Sequence, residues 1–501
     1  MTPQPAYSEF IELSSKGNLV PVYADFMADI LTPVAAYAKL SIAKPAFLFE
    51  SVVGGEQVSR YSFVGCNPSK VIAVKGKEAE IRHRGGDREK FPAPSDPLSL
   101  VESELKSCVL ASPAGMPRFS GGAVGYLSYE YANCVEPSVP LPKADSLGLP
   151  MLYFLVAESV VIFDHAKQMF RICIHVRPGN DPKAAYEKAC SEIEELMEIL
   201  RSDNLLTPVS LQSVEIPETP PSGNFTRQEF ESLVQTAKEY IQSGDIIQTV
   251  LSQRFSHPFK GDSIDLYRAL RVVNPSPYMF LLEDEDFSII GASPEVHVRL
   301  TGEEALIRPI AGTRPRGCDD DEDRRYEADL LADEKERAEH LMLVDLARND
   351  LGRVCQFGEV KVPEYMVVER YSHVMHIVSE VVGRMQPDKS SFDLMRATFP
   401  AGTVSGAPKV RAMQIISELE KLQRNAYAGA LGYFGFDGNH DSCIAIRTAI
   451  LKDGTLSIQS GAGVVADSIP SNEYLETVNK AKGMLKAVKV AEAFSERAKF
   501  S

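Results

Sequence analysis

The chain of 501 residues is long enough for two or three ordinary domains or for one large two-lobed unit, and 44% hydrophobic residues is typical of a globular protein. Its formal net charge of −16 argues against a nucleic-acid partner, because phosphate contacts need a basic surface. No apolar run could span a bilayer and the first ten residues do not resemble a secretion signal, so we expect no membrane association. Eight cysteines without C-x-x-C pairs predict reduced thiols and a cytoplasmic location.

Mixed strand and helix patterns fill the first part of the chain. Hairpins are predicted within 71–84 and 153–176, and helical periodicity predicts a helix over 183–201. Residues 207–224 are rich in Pro and Ser and nearly free of basic residues, which is typical of a linker. The sequence therefore predicts an N-terminal lobe at 1–206, a linker at 207–224 and a second lobe at 225–501.

The second part begins with a helix start signal. Thr226 and Glu229 have the spacing of a capping box, and Phe225 and Phe230 are placed for a hydrophobic staple. Strand-like runs follow, including FSIIGASPEVHVRL and SCIAIRTAIL, and helices are predicted near 324–349, 408–423 and 472–490. Because strands and helices do not alternate regularly, we predict an α+β fold rather than a doubly wound parallel sheet.

Two acidic pairs have the spacing E-x-x-E. Glu336 and Glu339 share one face of a predicted helix, and Glu473 and Glu476 repeat the pattern, with Lys480 one turn further on. The four carboxylates could together hold one hard divalent cation, and Mg²⁺ usually leaves room for substrate oxygens. Spacing alone is equally compatible with two unrelated surface pairs, so both interpretations stay open.

Glycine-rich turns are frequent in the second half, as in GASPE, IAGT, AGTVSGAPK, GALGYF and SGAGVV. Each is ordinarily a plain tight turn, but exposed backbone N–H groups in five such turns favour a small anionic ligand. Arg447 lies in an apolar run and would be costly to bury without an anionic partner. Taken alone, His376 is typical of a core histidine and Glu295 of a solvated acid, and no G-x-S-x-G elbow supports hydrolase chemistry.

A set of longer motifs resembles the chorismate-utilising enzymes, and within them the anthranilate-forming group. They are NPSPYMF, GASPE, PIAGTRPRG, EHLMLVDLARNDLGRV, RYSHVMH, GTVSGAPKVRAM, CIAIRTA, GAGVVADS and ETVNKA. The resemblance is dense over 225–490 and thinner before it, in FLFES, RYSFVG and GGAVGYLSYEY.

This resemblance implies a two-lobed α+β fold in which antiparallel β-sheets face each other as a sandwich flanked by helices. The implied substrate is chorismate, a dicarboxylate that is bound together with Mg²⁺. By motif, the metal would be surrounded by Glu336, Glu339, Glu473 and Glu476. By motif, the substrate would contact Gly312, Thr313, Tyr433, Arg447, Gly461, Ala462, Gly463 and Lys480.

The implied reaction adds ammonia at ring carbon C2 while the C4 hydroxyl leaves, and pyruvate is then eliminated to give anthranilate. Hydroxide is a poor leaving group, so a general acid is needed near C4. The resemblance gives that role to Glu295, with His376 assisting and Thr403 as a hydrogen-bonding neighbour.

Two positions separate close relatives within the family. Aminodeoxychorismate synthases typically have a lysine nucleophile where this chain has Ala311, and isochorismate-forming enzymes typically have a lysine base at the position of Gln248. An aminodeoxychorismate synthase and a non-catalytic metabolite-binding regulator on the same scaffold are the alternative functions.

The resemblance also implies feedback inhibition and a partner. L-Tryptophan would bind at Glu50, Ser51, Pro277, Tyr278 and Met279, with Glu50 meeting the ligand ammonium. None of the eight cysteines lies in a G-x-C-x-G elbow, and the short tail after residue 490 is not expected to hold a further domain. Glutamine hydrolysis is therefore expected in a separate amidotransferase subunit, with two copies of each subunit in a heterotetramer.

Overall fold

The computed structural model describes residues 3–52, 60–203, 205–209, 222–371 and 374–497. Residues 210–221, the larger part of the predicted linker, lie outside the described residues. Within these ranges no helix is both long enough and apolar enough to cross a membrane.

The described ranges contain twelve α-helices and two short 3₁₀ helices, at Tyr129–Tyr131 and Gly402–Val404. The α-helices are α1 (Tyr7–Ser14), α2 (Pro33–Leu40), α3 (Leu98–Lys106), α4 (Ala132–Val135), α5 (Pro182–Arg201), α6 (Arg227–Gln242), α7 (Ser263–Val273), α8 (Asp320–Ala332), α9 (Glu334–Gly352), α10 (Ser391–Thr398), α11 (Lys409–Glu420) and α12 (Pro470–Arg497).

The strands are β1 (Val20–Met27), β2 (Ala46–Glu50), β3 (Tyr61–Cys66), β4 (Lys70–Lys75), β5 (Glu78–His83), β6 (Arg88–Pro92), β7 (Gly122–Leu127), β8 (Leu152–Ala157), β9 (Ser159–Asp164), β10 (Met169–Val176), β11 (Gln248–Pro258) and β12 (Tyr278–Glu283). They continue with β13 (Ser288–Ser293), β14 (Val296–Thr301), β15 (Glu304–Ile307), β16 (Ile310–Pro315), β17 (Lys361–Arg370), β18 (Val374–Arg384), β19 (Gly406–Ala407), β20 (Ala430–Gly435), β21 (His440–Ile444), β22 (Thr448–Lys452) and β23 (Thr455–Val464).

These strands form two large antiparallel sheets. The first sheet has the order β1-β10-β9-β3-β2-β12-β13-β22-β23-β11-β19. The second has the order β16-β18-β15-β14-β21-β20-β7-β8-β4-β5-β6, with β17 paired to β18. Each sheet combines five strands from before residue 207 with strands from after residue 224, through the pairs β2–β12 and β7–β20. The predicted division at 207–224 therefore does not coincide with the division into sheets.

The two sheets pack face to face, and helices cover their outer faces. The apolar layer between the sheets includes Phe47 and Phe280 from the first sheet and Tyr126 and Leu431 from the second. Helices α2, α5, α7 and α12 pack on the outer face of the first sheet, and α3 and α10 pack on that of the second. Helix α11 packs against β11 and β19 of the first sheet and contributes Met413 and Ile416 to the apolar layer outside the second. The predicted α+β sandwich flanked by helices is confirmed, since burying both faces of each sheet requires three apolar layers.

Several predicted elements are found where the local signals put them. The capping box of Thr226 and Glu229 forms at the start of α6, and the predicted helix at 183–201 is α5. The helix predicted near 324–349 divides into α8 and α9 at Asp333, whose carboxylate accepts hydrogen bonds from the N–H groups of Lys335 and Glu336. An N-cap acid inside the predicted helix thus starts a new helix.

Three strand-like runs instead divide between the two sheets. The run 153–163 breaks at Glu158 between β8 and β9, the run 287–300 breaks at Pro294 and Glu295 between β13 and β14, and the run 442–451 breaks between β21 and β22. At each break the chain crosses from one sheet to the other. The second and third crossings lie side by side, because the N–H of Ile444 donates to the carbonyl of Glu295 (3.0 Å) and the N–H of Ala292 donates to the carbonyl of Arg447 (3.2 Å).

Candidate active site

A cavity of about 250 Å³ opens beside these two crossings, and we call it the main cavity. Strands β11 and β23 of the first sheet, β16 and β18 of the second, and helices α9 and α12 contribute to its wall. Ten predicted site residues line it: Glu295, His376, Thr403, Thr313, Arg447, Gly461, Gly463, Lys480, Glu339 and Glu476. Residues spread over 186 positions of sequence are therefore brought to one place by the folding of both sheets.

Glu295 enters the main cavity from the crossing between β13 and β14. Its side chain is buried, and burial raises the pKa of the Glu295 carboxyl to about 7, although the nearby Thr403 hydroxyl, Lys480 and Arg447 act to lower it. A carboxyl group with such a pKa is about half protonated at pH 7, whereas an ordinary glutamate is almost fully ionised there. It can therefore donate a proton to a leaving oxygen.

Arg447 lies on the neighbouring crossing, in the left-handed backbone region at φ 49°. Its guanidinium is open to solvent through the main cavity, yet the surrounding protein desolvates it, which lowers its pKa while Glu295 acts to raise it. Among the described residues no carboxylate forms an ion pair with Arg447. An unpaired guanidinium on a cavity wall is suited to bind a carboxylate in a forked arrangement.

His376 is fixed by a bulge in the neighbouring strand. Its Nδ1 lies 2.9 Å from the Gly312 carbonyl oxygen and 3.1 Å from the Thr313 hydroxyl. A carbonyl only accepts hydrogen bonds, so Nδ1 carries the proton and Nε2 is the free nitrogen. Gly312 has φ 68° at the point where the register between β16 and β18 shifts, and a side chain there would meet Leu330. Burial lowers the pKa of His376, so the ring is neutral at pH 7.

The four acidic residues do not play equal parts in the cavity. Glu339 and Glu476 line it, whereas Glu336 and Glu473 lie outside its lining. Burial, and next the charge of Glu339, raises the pKa of Glu336; the pKa of Glu473 is likewise raised by burial and by Glu476. Each pair is only partly compensated, by Arg314 at 3.5 Å from Glu336 and by Lys480 at 2.7 Å from Glu476.

This donor set fits a cation that is shared with a substrate. Glu339 Oε1 accepts from Gln248 Nε2 at 3.3 Å, and Glu476 Oε1 lies 2.7 Å from Lys480 Nζ. In the ranges that the structure describes, no three His, Cys, Asp or Glu side chains form a preassembled metal cluster. Two carboxylates that leave the other positions to water and substrate oxygens suit Mg²⁺ rather than a closed structural site.

Strand β23 presents its glycines to the cavity. Cβ atoms at Gly461 and Gly463 would lie 2.7 Å from Tyr427 Oη and from Gln248 Nε2, so larger residues would collide with two other lining residues. Ala462 points to the opposite face, is fully buried and does not line the cavity. The Gly461 carbonyl accepts from Lys480 Nζ at 3.0 Å, which ties α12 to the strand.

Tyr433 lies elsewhere, and a different tyrosine occupies the main cavity. Tyr433 is on β20 between the sheets, where its ring packs on Phe119 at a centroid distance of 4.2 Å. The tyrosine on the cavity wall is Tyr427, just before β20, with the guanidinium of Arg424 at 5.7 Å from its ring. The signal that could have identified it is a tyrosine at the entry to a glycine-rich strand, in RNAYAG.

A second cavity, of about 50 Å³, lies between the sheets. All five predicted inhibitor residues line it, together with Tyr433, Arg118, Arg299 and Asp441. The hydroxyl of Ser51 is buried and has no hydrogen-bond partner in the described ranges. Glu50, in contrast, accepts from Tyr267 at 2.6 Å and pairs with Arg271 at 3.0 Å, so its carboxylate is already neutralised.

Comparisons with known proteins agree with this geometry. The family model described as chorismate binding enzyme matches residues 45–486. The chain is 44% identical to anthranilate synthase component 1 of Pseudomonas putida over 98% of this chain and 99% of that protein. It is 45% identical to the Pseudomonas aeruginosa protein of the same name, over 97% of this chain and 98% of that one.

Solved structures give the same result. The crystal structure of anthranilate synthase component I from Streptococcus pneumoniae has a TM-score of 0.73 and 37% identity, and the match covers 92% of this chain and 99% of that one. The menaquinone-specific isochorismate synthase of Escherichia coli shares the fold at 17% identity, with a TM-score of 0.70 over 96% of this chain and 99% of that one. The chain therefore belongs to the chorismate-binding enzymes, in the group formed by anthranilate synthase component 1.

Proposed function

We propose that the chain aminates chorismate with ammonia and eliminates pyruvate to give anthranilate, with Mg²⁺ as cofactor. The observation that carries this proposal is the identity of two residues on the wall of the main cavity. Ala311 and Gln248 both line it, at the positions where the resemblance implies lysine in relatives with other products. Because neither position offers a lysine nucleophile or a lysine base, this cavity suits external ammonia as the nucleophile.

Arg447 and the open backbone of Gly461 and Gly463 would orient the substrate through its carboxylates. Glu295 would donate a proton to the C4 hydroxyl as it leaves, and would become a carboxylate. The free Nε2 of neutral His376 can accept a proton when the ring becomes aromatic. The hydrogen bond from Nδ1 to the Gly312 carbonyl keeps that nitrogen available.

Glu339 and Glu476 would hold Mg²⁺, with Glu336 and Glu473 adding negative charge behind them. When bound, the cation supplies positive charge that positions a substrate carboxylate against the acidic wall. Lys480 lies between Glu476 and the Gly461 carbonyl and would be free to contact the substrate when the metal neutralises Glu476.

The overall proposal is tested by mixing the purified chain with chorismate, Mg²⁺ and ammonium at mildly alkaline pH. Anthranilate fluorescence and equimolar pyruvate are expected, whereas glutamine in place of ammonium should give no product. An amino-containing product without pyruvate would identify an aminodeoxychorismate synthase, and chorismate binding without turnover would identify a regulator.

The metal assignment predicts a change in Mg²⁺ requirement. In Glu339→Gln, the Mg²⁺ concentration that gives half-maximal activity should rise at least about tenfold, because a neutral amide replaces one of two charged ligands. Glu334→Gln is the matched control, since Glu334 is exposed on the same helix and lies outside the cavity. Equal Mg²⁺ dependence in both variants would contradict the assignment.

We further propose that ammonia comes from glutamine through a separate amidotransferase subunit, in an assembly of two copies of each subunit. The name component 1 carried by the relatives supports a partner, and so does the absence of a glutaminase elbow from the sequence. All eight cysteines are free thiols, which supports action in the reducing cytoplasm.

The second cavity supports feedback inhibition by L-tryptophan. Its wall combines apolar Pro277 and Met279 with the unpaired Ser51 hydroxyl, a combination whose chemistry suits an indole and a polar amino-acid end, and at about 50 Å³ the cavity would have to widen to admit them. Because Glu50 is already engaged by Arg271 and Tyr267, a ligand ammonium would have to share that carboxylate.

Ser51→Ala is expected to weaken tryptophan binding by about five- to tenfold, since one hydrogen bond to the ligand is lost. Turnover without tryptophan should not change, because Ser51 does not line the main cavity. Calorimetry on the variant, with the buried and remote Ser128→Ala as control, measures the difference. No heat of tryptophan binding to the parent chain would end the hypothesis.

A further inference from the structure

A third cavity, of about 30 Å³, lies on the other side of Glu295, and we call it the rear chamber. Glu295, Leu343 and Thr403 line both the main cavity and the rear chamber, so these three residues separate them. Asp350 and Arg308 also line the chamber. Asp350 comes from α9 in the motif ARNDLGRV, to which the proposed reaction gives no role.

The chamber collects polar atoms that lack partners. Thr403 Oγ1, Asp350 Oδ1 and Arg308 Nε are all buried and have no hydrogen-bond partner among the described residues. The other oxygen of Asp350 accepts from Lys409 Nζ at 2.7 Å, so only half of this buried carboxylate is satisfied. Unpaired buried polar atoms are costly, and three of them around one cavity indicate a bound molecule.

The size of the chamber fits water. One ordered water needs roughly 10–15 Å³ on this measure and two to four polar partners. The chamber therefore has room for about two waters, which Glu295, Thr403, Asp350 and Arg308 can bind on several sides.

We propose that the rear chamber holds water that links Glu295 to the Asp350–Lys409 pair and returns a proton to Glu295 in each catalytic cycle. This inference rests on the proposed function, in which Glu295 is the proton donor. Asp350 and Lys409 are then positioning residues, because they act through water and Glu295 rather than on the substrate.

The proton balance is closed. Glu295 gives its proton to the departing C4 hydroxyl, which leaves as water, and the residue becomes a carboxylate. A chamber water gives one proton to that carboxylate and takes one from the Asp350–Lys409 pair, which regains a proton from solvent. The proton that the pair takes from solvent balances the proton that the nitrogen of ammonia releases to solvent after it has bonded to C2.

The charges around Glu295 come from both cavities. Lys480 and Arg447 face it from the main cavity, and Asp350 and Arg308 line the chamber. Asp350 is paired with Lys409, and Arg308 is paired with Glu369 and Glu380. His297 also lines the chamber, but burial lowers its pKa to about 3, so it is uncharged. Removing the Asp350 charge leaves Lys409 uncompensated, which favours the Glu295 carboxylate.

Asp350→Asn is the first test. We expect kcat to fall about 10- to 100-fold while KM for chorismate changes less than about twofold, with a larger solvent deuterium isotope effect on kcat. The alkaline limb of the kcat profile should move to lower pH, because the Glu295 carboxylate becomes easier to form.

Asp284→Asn is the matched control. Asp284 is also buried, and one of its carboxylate oxygens lies 2.8 Å from Arg82 Nη2. Its other oxygen has no hydrogen-bond partner among the described residues, but Asp284 lines none of the three cavities described above. Equal kcat, isotope effect and pH profile in the two variants would overturn the proposal.

Ala347→Val is the second variant, because it fills the chamber while it leaves the ion pair intact. It should reproduce the loss in kcat and the isotope effect. A crystal structure of the unmodified chain should show water bonded to Asp350 and Thr403, and a dry chamber would overturn the proposal whatever the activity. If the unmodified chain makes no anthranilate, the proposed function fails, and the water density is judged separately.

Discussion

Glu295→Gln is expected to lower kcat for anthranilate formation by about 1,000-fold, because an amide cannot donate the proton that the C4 hydroxyl needs. KM for chorismate should change little, since glutamine keeps the size of the side chain. In the unmodified chain, kcat should fall as pH rises through the pKa of Glu295. That pKa is about 7 in the protein without ligand.

Glu130→Gln provides the control for this result. Burial raises the pKa of Glu130 to about 7 as well, but its carboxylate accepts from the N–H groups of Arg424 and Asn425 and lines neither the main cavity nor the rear chamber. We expect a lower melting temperature with kcat within a few-fold of the unmodified chain. Stopped-flow or steady-state fluorescence of anthranilate measures both variants, and a Glu295→Gln enzyme with near-normal kcat would disprove the assignment.

Arg447→Ala is expected to raise KM for chorismate by about 100- to 1,000-fold, because it removes the guanidinium that would pair with a substrate carboxylate. Arg447→Lys should give an intermediate KM, since an ammonium keeps the charge and loses the forked geometry. Initial rates over a wide range of chorismate concentrations separate the effect on KM from any effect on kcat.

Arg384→Ala is the appropriate comparison for Arg447. Arg384 lies at the exposed end of β18 and pairs with Glu303 at the surface, so its removal should leave both constants unchanged. If Arg447→Ala lowered kcat and left KM as it was, the residue would act on the chemical step rather than on substrate binding.

Local signals predicted much of this fold, and long-range pairing decided the rest. The capping box at Thr226 and the helix at 183–201 depend on residues within a few positions, so the sequence is sufficient for them. The sequence of residues 287–300 predicts one strand, because both halves of this run are apolar. Its break at Glu295 is set by partners far away in the chain, β22 for the first half and β21 for the second.

Tyr433 was assigned from the motif resemblance, and the pattern of its strand could not correct that assignment. Strand β20 is covered on both faces, so nearly all its residues are buried and no alternation shows which side chains face the cavity. In GAGVV, at 461–465, the alternation of side chains along a strand could be used to assign faces, since residues two apart share a face. It could have placed Gly461 and Gly463 together and Ala462 opposite them.

The sharing of each sheet between both parts of the chain has a consequence for synthesis on the ribosome. Strands β2 and β7 keep one edge unpaired until β12 and β20 have emerged. At 5–20 residues per second, the 228 positions from Glu50 to Tyr278 take roughly 10–50 s to add. During that time β2 carries an exposed strand edge, and β7 carries one for longer, until β20 has been added; unpaired strand edges of this kind invite aggregation.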